Sequence, residues 1–230
     1  MYNFIGRTKN YTVEKFIYRN LDHENTFKKI YLNKTWGSKK KYLFYSGDGS
    51  HNEKIIKPYI KKIVLELKKI KNPILIDAGC GDFNIGKYFI NYAKKIYAYD
   101  IFEELIKHNK KKYNYRNLVF KKKNIVTDNF PISDVFILRQ VLQHLSNKDI
   151  QNFLKKLKKR TRYLIITEHI PSTKFISNID KPRGHGLRFN SGVILHEKPF
   201  NLNHLSRRKI LAVNAKPDPG IIVTIIYKLK

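Results

Sequence analysis

The sequence predicts an α/β fold in which a mostly parallel, doubly wound sheet carries helices on both faces. Three observations predict this class. From residue 73 onward, short apolar runs alternate with amphipathic segments of helical period. A glycine-rich turn, residues 79–86, follows the first apolar run, and two apolar runs near the carboxyl end flank a turn of proline and glycine. Because strands that alternate with helices are typical of βαβ units, the pattern indicates parallel strands that end in a hairpin.

The first 50 residues precede this alternation and are rich in aromatic side chains. We interpret residues 1–50 as an N-terminal helical and aromatic extension, with a short helix predicted from Asp22 to Leu32. The turn that follows, Ser46 to His51, contains the start of the pattern Ser50-x-x-Glu53, which has the form of a capping box. A helix is therefore expected to begin after Ser50, with apolar residues at helical spacing as far as Ile70.

The alternating part predicts five strands and three helices before the final hairpin. The strands are expected at Ile74–Ile76, Ile96–Tyr99, Leu118–Phe120, Val135–Leu138 and Tyr163–Thr167. The helices are expected at Ile85–Ala93, Phe102–Lys111 and Asp149–Arg160. Two last strands, Lys209–Val213 and Ile221–Tyr227, enclose the turn Lys216–Gly220. Since no internal repeat and no low-complexity linker interrupts the chain, residues 1–230 are interpreted as one domain.

The composition excludes a disordered chain. Hydrophobic residues make up 42% of the 230 positions and aromatic residues 13%, which is enough to build a core. No run reaches the roughly 18 uncharged apolar residues of a membrane span, and the opening residues lack the apolar stretch of a secretory signal. A soluble, cytoplasmic protein is therefore expected. With one cysteine, Cys80, neither an internal disulfide nor a cysteine cluster for zinc is expected.

The charge of the chain is strongly positive, with 47 Lys and Arg against 18 Asp and Glu and a formal net charge of +29. Such a charge attracts phosphate backbones. Lysine rather than arginine supplies the excess, however, and residues with AT-rich codons dominate the sequence. Lysines also fill the expected solvent face of an amphipathic helix, as at Lys155, Lys156, Lys158 and Lys159. We therefore interpret the charge mainly as composition and solvated surface, and a specific nucleic-acid partner is not expected.

Chemistry is expected at the loop between the first strand and its helix, Asp77 to Gly86. A glycine-rich turn there lets a ligand approach the backbone and the amino terminus of the helix. A dinucleotide loop would read G-x-G-x-x-G, but Asn84 stands at the third glycine position and the strand ends in Asp77, which would repel a pyrophosphate. The loop instead suits a ligand with a positive amino group and one carboxylate. That describes the methionine part of S-adenosylmethionine.

A second acid supports this ligand. Asp100 ends the second predicted strand, which is where a carboxylate accepts hydrogen bonds from ribose hydroxyls in doubly wound folds. The alternative for Asp100 is a cap for the helix that follows. Cys80 is interpreted as a small turn residue and not as a nucleophile, because nothing in the sequence marks a base beside it.

These segments resemble the motif series of the class I S-adenosylmethionine-dependent methyltransferases. The matching segments are Asp77–Gly86, Tyr97–Asp100, Asp134–Ser146 and Leu164–Pro171. A closer resemblance is to a bacterial subgroup with an SGxGS turn, a D-A-x-C-G-D-F-N loop and an R-x-x-L-x-H-L segment. Here these read Ser46–Ser50, Asp77–Asn84 and Arg139–Leu145. Over roughly residues 45–230, the resemblance implies a Rossmann-like sheet of seven strands, of which six are parallel and the seventh is antiparallel.

The resemblance also implies which residues hold the cofactor, S-adenosyl-L-methionine, and its product S-adenosyl-L-homocysteine. Asp77, Gly79 and Gly81 would hold the methionine part, Asp100 the ribose, and Ile101 one face of the adenine. Many relatives place an acid after the third strand, whereas this chain has Asn124 and Ile125, so an amide or a backbone group would contact the adenine amino group. The expected cofactor-binding residues are Asp77, Gly79, Cys80, Gly81, Asn84, Asp100, Ile101, Asn124, Ile125 and Arg139.

Acceptor chemistry is expected at the carboxyl ends of the fourth and fifth strands, where doubly wound folds bind ligands. A base is needed only when the acceptor must lose a proton, as a hydroxyl must. His144 and His169 are the candidate bases, with Glu168 adjacent to the second. Alternatively, His144 packs or caps a short helix. Glu168 and His169, as consecutive residues of a strand, point to opposite faces. No metal is expected.

The segment from residue 170 to 206 is polar and lacks clear periodicity, which is typical of a functional or a disordered stretch. We interpret it as an acceptor-binding insertion. The residues expected to bind the acceptor are Ser50, Gln140, Asn178, Arg183, His185 and Arg188.

Two functions remain open. The first is O-methylation of a small hydroxylated acceptor, such as a sugar or an envelope-glycan precursor. The tetrapeptide N-P-P-Y or D-P-P-Y of amino-directed nucleic-acid methyltransferases is missing, since Leu138–Val141 stands in its place. The second is an RNA methyltransferase or RNA-binding module that uses the lysine-rich surface.

Overall fold

The computed structural model describes residues 16–157, 160–216 and 219–230. These residues form a sheet with the strand order β3-β2-β1-β4-β5-β7-β6. The strands are β1 Ile74–Ala78, β2 Lys95–Asp100, β3 Leu118–Lys122, β4 Ser133–Arg139, β5 Thr161–Ile170, β6 Ser206–Asn214 and β7 Ile221–Lys228. Strand β7 is antiparallel to both of its neighbours, and the other strand pairs are parallel. The predicted doubly wound α/β sheet with an antiparallel carboxyl-terminal hairpin is therefore confirmed.

The main α-helices also follow the sequence pattern. They are α1 His23–Leu32, α2 Glu53–Lys69, α3 Glu103–Lys112 and α4 Asn147–Leu157. Helix α1 begins after Asp22, whose carboxylate accepts the backbone N–H of Asn25 at 2.7 Å. Each apolar stripe predicted from the helical spacing faces the sheet, as expected for amphipathic helices.

The capping box predicted at Ser50 is wrong. The cap of α2 is Asn52, whose side chain accepts the backbone N–H of Lys54 at 3.1 Å. Ser50 instead lies in a short 3₁₀ helix, Asp48–Ser50. An asparagine directly before Glu53 is as good a cap as serine, and it leaves the preceding turn free to fold against the sheet.

The segment predicted as a helix at Ile85–Ala93 is a 3₁₀ helix from Gly86 to Tyr92. Its start is confined by close packing. A Cβ added at Gly86 would lie within 3.0 Å of the Asp77 carboxylate and the Phe83 ring. The first turn therefore lies directly against the end of β1, which is a constraint that spacing along the chain does not reveal.

Two apolar clusters cover the two faces of the sheet. Alternate residues of β4 enter different clusters, with Phe136 and Leu138 in one and Val135 and Ile137 in the other. Helix α4 covers the first face, while α2 and α3 cover the second. Strands buried on both faces read as continuous hydrophobic runs, which explains the sequence of β4. With both faces covered, a ligand has access to the sheet only at its ends.

The position of that access follows from the strand order. Strand β1 lies between β2 and β4, so the chain turns in opposite directions from this centre. Doubly wound sheets bind ligands in the crevice at the carboxyl ends of strands where the order reverses. Gly79, Asp100 and Arg139 stand at the ends of β1, β2 and β4, and this edge of the sheet is the place to look for a site.

Parts of some sequence predictions lie outside the described residues. These parts are residues 1–15 of the extension, Lys158 and Lys159 of the lysine-rich helix, and Pro217 and Asp218 of the hairpin turn. On α4, Lys155 is exposed and Lys156 is partly buried. None of the helices in the described ranges combines the length and the apolar character that crossing a bilayer requires.

Candidate active site

A cavity of about 400 Å³ opens at the carboxyl edge of the sheet, where β1 and β4 adjoin. Small-ligand sites measure roughly 300–1,000 Å³, so the cavity has the right size for one. The predicted site residues in its wall are Ser50, Gly79, Cys80, Gly81, Asp100, Ile101, Asn124, Ile125, Arg139, Gln140, His144, His169 and His185. The others, which the wall does not include, are Asp77, Asn84, Glu168, Asn178, Arg183 and Arg188.

The loop after β1 is fixed to the end of β2 by its backbone. The N–H groups of Gly79 and Cys80 both donate to the carbonyl oxygen of Tyr99, at 2.8 and 2.9 Å. Gly79 and Gly81 have positive φ angles of 71° and 54°. A Cβ on Gly79 would also lie within 3.0 Å of Val141. Both glycines are therefore required by the turn and by the close approach of its neighbours.

Asp100 joins this loop to the helix after β2. Its Oδ2 accepts the backbone N–H of Gly81 at 3.0 Å, and its Oδ1 accepts that of Phe102 at 3.2 Å. Burial raises the pKa of Asp100, and these backbone N–H groups oppose the rise. The cap residue of α3 is Phe102, so Asp100 is not a simple helix cap. Its carboxylate lies in the cavity wall, where the remaining lone pairs suit the hydroxyls of a ribose.

Asp77 and Asn84 lie behind the loop rather than in the wall. Burial is the main cause that raises the pKa of Asp77 to about 7, and the negative charge of Asp100 is the second. The Asn84 side chain donates to the carbonyl oxygen of Ser50 at 2.8 Å and accepts from Lys87 at 2.7 Å. Neither side chain lines the cavity, and the direct cofactor contacts predicted for Asp77 and Asn84 stay predictions.

Arg139 connects the end of β4 with the turn before α2. Its guanidinium donates to the carbonyl oxygen of Gly49 at 2.6 Å, to Gln140 at 2.9 Å and to the hydroxyl of Ser50 at 3.4 Å. It also lies 4.9 Å from the ring centroid of Tyr59. Burial lowers the pKa of Arg139. Ser50 and Gln140, predicted for the acceptor, are held by this arginine while still lining the cavity.

The adenine side of the predicted site is formed by the segment after β3. Asn124 and Ile125 line the cavity. The Asn124 side-chain oxygen accepts the backbone N–H of Val126 at 2.9 Å, and its backbone N–H donates to Asp128 at 3.0 Å. Local hydrogen bonds thus fix the turn in which many relatives place an acid and this chain has Asn124.

The end of β5 separates the three predicted catalytic residues. His144 and His169 are buried residues of the cavity wall. The carboxylate of Glu168 points away from the cavity, into the turn after β4. It accepts the backbone N–H groups of Val141, Leu142 and Gln143, at 3.3, 3.0 and 3.0 Å. The catalytic role predicted for Glu168 is therefore corrected to a structural one, since its oxygens already serve these three donors.

Of the predicted acceptor residues between β5 and β6, only His185 lies in the cavity wall. Asn178 bonds to Ile194 and to the carbonyl oxygen of Lys198, and Arg188 donates to the carbonyl oxygens of Ile179 and Leu145. The guanidinium of Arg183 donates to the carbonyl oxygen of Leu21 at 3.0 Å. The acceptor roles predicted for Asn178, Arg183 and Arg188 are therefore corrected. These side chains hold a segment without helix or strand in place. They bond to main-chain groups within the segment and to the carbonyl oxygens of Leu21 and Leu145 outside it.

Sequence reasoning missed the contribution of the N-terminal segment to this wall. The wall includes His23, Phe27, Tyr31, Thr35 and Trp36. His23 Nε2 lies 3.1 Å from Asp149 of α4, and this ion pair connects the start of α1 with the main domain. The Trp36 ring lies 5.3 Å from that of His144. A lone tryptophan before a glycine in an aromatic-rich stretch was the available signal.

A buried pair also connects the N-terminal segment to the cofactor loop. His51 Nε2 lies 2.6 Å from Asp82 Oδ2, and the two side chains are only 2% and 4% exposed. The imidazole stacks on Tyr45 with ring centroids 4.4 Å apart. Ser46 adds a second connection, because its hydroxyl accepts the backbone N–H of Asp82 at 2.9 Å. The turn before α2 is therefore built into the cofactor loop.

Within the described residues, no cluster of His, Cys, Asp and Glu has the arrangement of a metal site. The cavity fits S-adenosylmethionine in its donor set. The loop Gly79–Gly81 offers backbone to the methionine part, Asp100 offers acceptors to the ribose, and Ile101 and Ile125 offer apolar surface to the adenine.

Comparison with known proteins agrees with this geometry. Residues 76–162 match the family model described as a methyltransferase domain. Over these 87 of its 230 residues the chain is similar to that domain. The enzyme class and cofactor predicted from the sequence, an S-adenosylmethionine-dependent methyltransferase, are thereby confirmed. No curated protein matches the chain.

Solved structures share the fold of this methyltransferase at low sequence identity. The N-methyltransferase NodS from Bradyrhizobium japonicum WM9, in complex with S-adenosylhomocysteine, is 10% identical with a TM-score of 0.56, over 76% of this chain and 87% of that one. Human N-acetylserotonin methyltransferase with S-adenosylmethionine is 12% identical with a TM-score of 0.59, over 90% and 60%. The N-terminal domain of EvdMO1, with S-adenosylhomocysteine and D-fucose, is 9% identical with a TM-score of 0.54, over 75% and 82%.

The position of Asp100 predicts its effect on cofactor affinity. Asp100→Ala should weaken S-adenosylhomocysteine binding by about 2–4 kcal/mol, or roughly 30- to 900-fold, because hydrogen bonds to a charged acceptor are lost. Calorimetry measures this affinity. Asp134→Ala is the matched control, since Asp134 accepts the backbone N–H of Ile74 at 2.8 Å without lining the cavity. It should lose stability but keep its affinity. Equal affinities in the two variants would show that Asp100 does not contact the cofactor.

The burial of Glu168 predicts a dependence of stability on pH. Burial raises its pKa to about 7, although three backbone N–H groups oppose the rise. Since the folded-state pKa lies above the unfolded value of about 4.3, stability is fully present at low pH and is lost as the pH rises through 7. Between pH 5 and 8, the free energy of unfolding of the wild type should fall by about 2–3 kcal/mol relative to Glu168→Gln, in urea titrations.

Glu66→Gln is the control for this titration. Glu66 is equally buried, and burial alone would raise its pKa, but hydrogen bonds from Arg208 and Lys69 lower it overall. Its stabilising contribution is therefore lost only as the pH falls through the acidic range, and the difference from wild type should be nearly flat between pH 5 and 8. A flat difference for Glu168→Gln as well would contradict the prediction.

Proposed function

We propose that the protein transfers a methyl group from S-adenosylmethionine to a hydroxyl group of a small acceptor, such as a sugar or an envelope-glycan precursor. The observation that carries the proposal is the pairing of Trp36 with His144 in the cavity wall, with ring centroids 5.3 Å apart. A flat aromatic face suits the apolar face of a small ring, and a histidine suits the removal of a hydroxyl proton near neutral pH. The fold alone does not determine which acceptor binds, so the specificity must come from side chains of the cavity wall.

The cavity also supports a small acceptor over a polymer. The N-terminal segment contributes Phe27, Tyr31 and Trp36 to its wall, with Trp36 next to His144 of the turn after β4. With about 400 Å³ shared between cofactor and acceptor, little room is left for an extended chain. The net charge of +29 is the argument for RNA, but lysine supplies most of it, and lysines on the solvated faces of amphipathic helices need no partner.

The proposal extends to the placement of the chain among methyltransferases. The bacterial subgroup that the sequence resembles has an SGxGS turn and an R-x-x-L-x-H-L segment, whose arginine is here Arg139. Arg139 donates hydrogen bonds to Gly49 and Ser50 of that turn, which gives the two motifs a shared physical basis. We further propose that residues 1–230 act as one domain in the cytoplasm. We also propose that the segment from residue 170 to 206 binds the acceptor through His185, which lines the cavity.

Product identification tests the function directly. The protein is incubated with S-adenosylmethionine labelled in its methyl group and with fractionated cell extract, and the labelled product is isolated. A small molecule with a new O-methyl group is the expected result. A label in RNA, together with retention on RNA that falls steeply with salt, would replace the proposal with the second function. A label on a nitrogen atom of the product would contradict O-methylation, and with it a base that removes a hydroxyl proton.

Replacing the base should affect turnover and not cofactor binding. His144→Gln should lower kcat by about 10²–10⁴-fold, which is the usual contribution of general base catalysis. The affinity for S-adenosylhomocysteine should stay unchanged, and a rise of the rate near pH 6–7 should disappear. His169→Gln is the comparison, because His169 is the second candidate in the wall. If His169→Gln alone shows the large loss, the base is His169. If neither variant loses turnover, the proton leaves by another route.

Replacing the aromatic wall should affect acceptor binding. Trp36→Leu should raise the KM for the labelled acceptor roughly 2- to 12-fold, since a stacking contact worth about 0.5–1.5 kcal/mol is lost. Phe44→Leu is the control in the same segment. Phe44 packs on Phe102 and His108 and does not line the cavity, so its KM should match the wild type. An unchanged KM in Trp36→Leu would place the acceptor elsewhere.

A further inference from the structure

A short chain of hydrogen bonds connects β5 with the proposed base. Gln143 and His144 lie together in the 3₁₀ helix Leu142–His144, where they are 4% and 7% exposed. The Gln143 side-chain oxygen accepts the backbone N–H of His169 at 3.1 Å. A backbone N–H can only donate. The orientation of the Gln143 amide is therefore fixed by the main chain, with its oxygen toward β5.

The other end of the amide determines the state of the imidazole. Gln143 Nε2 lies 3.3 Å from His144 Nε2, and an amide nitrogen can only donate, so His144 Nε2 carries the lone pair. The second ring nitrogen, Nδ1, lies 3.1 Å from the carbonyl oxygen of Gly184, which can only accept. The proton is therefore on Nδ1. A donor at Nε2 and an acceptor at Nδ1 together favour the neutral Nδ1–H tautomer, which satisfies both of these contacts.

We propose that Gln143 is a positioning residue that holds His144 as a neutral base with its acceptor nitrogen, Nε2, ready for the proton. This rests on the proposed function. When the acceptor oxygen forms its bond to the methyl carbon, the methyl–sulfur bond breaks and the electron pair stays on sulfur. The acceptor O–H bond breaks as well, and the proton goes to His144 Nε2. The positive charge of the sulfonium is thus replaced by that of the imidazolium.

The geometry suits this transfer. The contact between Gln143 and His144 Nε2 is long for a hydrogen bond, so an acceptor hydroxyl can take the place of the amide. The bond from Nδ1 to Gly184 strengthens when the ring becomes charged. The turn itself cannot move freely, because Glu168 accepts three backbone N–H groups from Val141, Leu142 and Gln143. Gln143 acts through His144 and needs no contact with the acceptor.

Two variants separate this role from simple packing. Gln143→Glu keeps the shape and still accepts from His169, but its second oxygen requires a donor at His144 Nε2. The ring should then carry protons on both nitrogens at pH 7. Gln143→Met removes both hydrogen bonds without adding charge, so only the contact with the Gly184 carbonyl oxygen still favours the Nδ1–H tautomer, and part of the population should change to the other one. The neutral variant keeps the test valid if the buried charge of Gln143→Glu prevents folding.

Nitrogen-15 NMR of the imidazole groups measures the protonation of His144 and needs no methyl acceptor. The protein is saturated with S-adenosylhomocysteine, and the His144 signals are assigned by their loss in His144→Gln. The expected wild-type spectrum shows a neutral ring protonated at Nδ1. Gln143→Met should show a mixture of tautomers, and Gln143→Glu a protonated ring. A wild-type ring protonated at Nε2, or an unchanged ring in Gln143→Met, would overturn the proposal.

The rate of methyl transfer to fractionated extract completes the test. Gln143→Glu should lower the rate at pH 7 by about 100-fold and recover part of it as the pH rises, while S-adenosylhomocysteine affinity stays constant. An unchanged rate despite an altered ring would show that Gln143 does not serve catalysis. This outcome is distinct from failure of the proposed function, which would appear as a labelled product without an O-methyl group whatever the spectrum of His144.

Discussion

The attachment of one loop to the end of the neighbouring strand is the constraint on which this structure depends. Gly79 and Cys80 share the carbonyl oxygen of Tyr99, and Gly81 donates to the carboxylate of Asp100. These bonds use groups that would otherwise be unpaired where the strands end. They also set the floor of the cavity, because a loop held this tightly has no side chains between its backbone and a ligand. The cavity is thus a consequence of how β1 and β2 end.

The rest of the site is arranged around this floor by polar side chains that hydrogen-bond to neighbouring turns. Arg139 fixes the turn before α2, Glu168 fixes the turn after β4, and Asp82 fixes His51. Each has its charge satisfied by several hydrogen bonds, as buried charges must. Burial is the main cause that raises the pKa of Glu168 to about 7, so this support is sensitive to pH in the physiological range. The reactive groups are therefore positioned by side chains whose polar atoms hydrogen-bond within the folded chain.

The sequence predicted the sheet well because periodicity and short apolar runs report burial directly. It also identified the loop and Asp100, because few residues other than glycine and an acid suit that turn. The sequence did not predict the role of a residue whose hydrogen-bond partners are distant in the chain. Glu168 and Arg188 have the residue types of catalysis and binding, but their partners are backbone groups that only the folded chain brings near. Trp36 and His23 were missed for the same reason, since no spacing connects α1 with the far side of the cavity.

The contact between Ser46 and the cofactor loop has a consequence for how the gene can change. A Cβ at Gly81 would lie within 3.0 Å of the Ser46 hydroxyl, and that hydroxyl accepts the N–H of Asp82, whose carboxylate in turn bonds to His51. Two stretches of chain some thirty residues apart therefore constrain each other's side chains. A side chain at Gly81 needs space that the Ser46 hydroxyl occupies, and a change at Ser46 removes the acceptor that the Asp82 N–H uses.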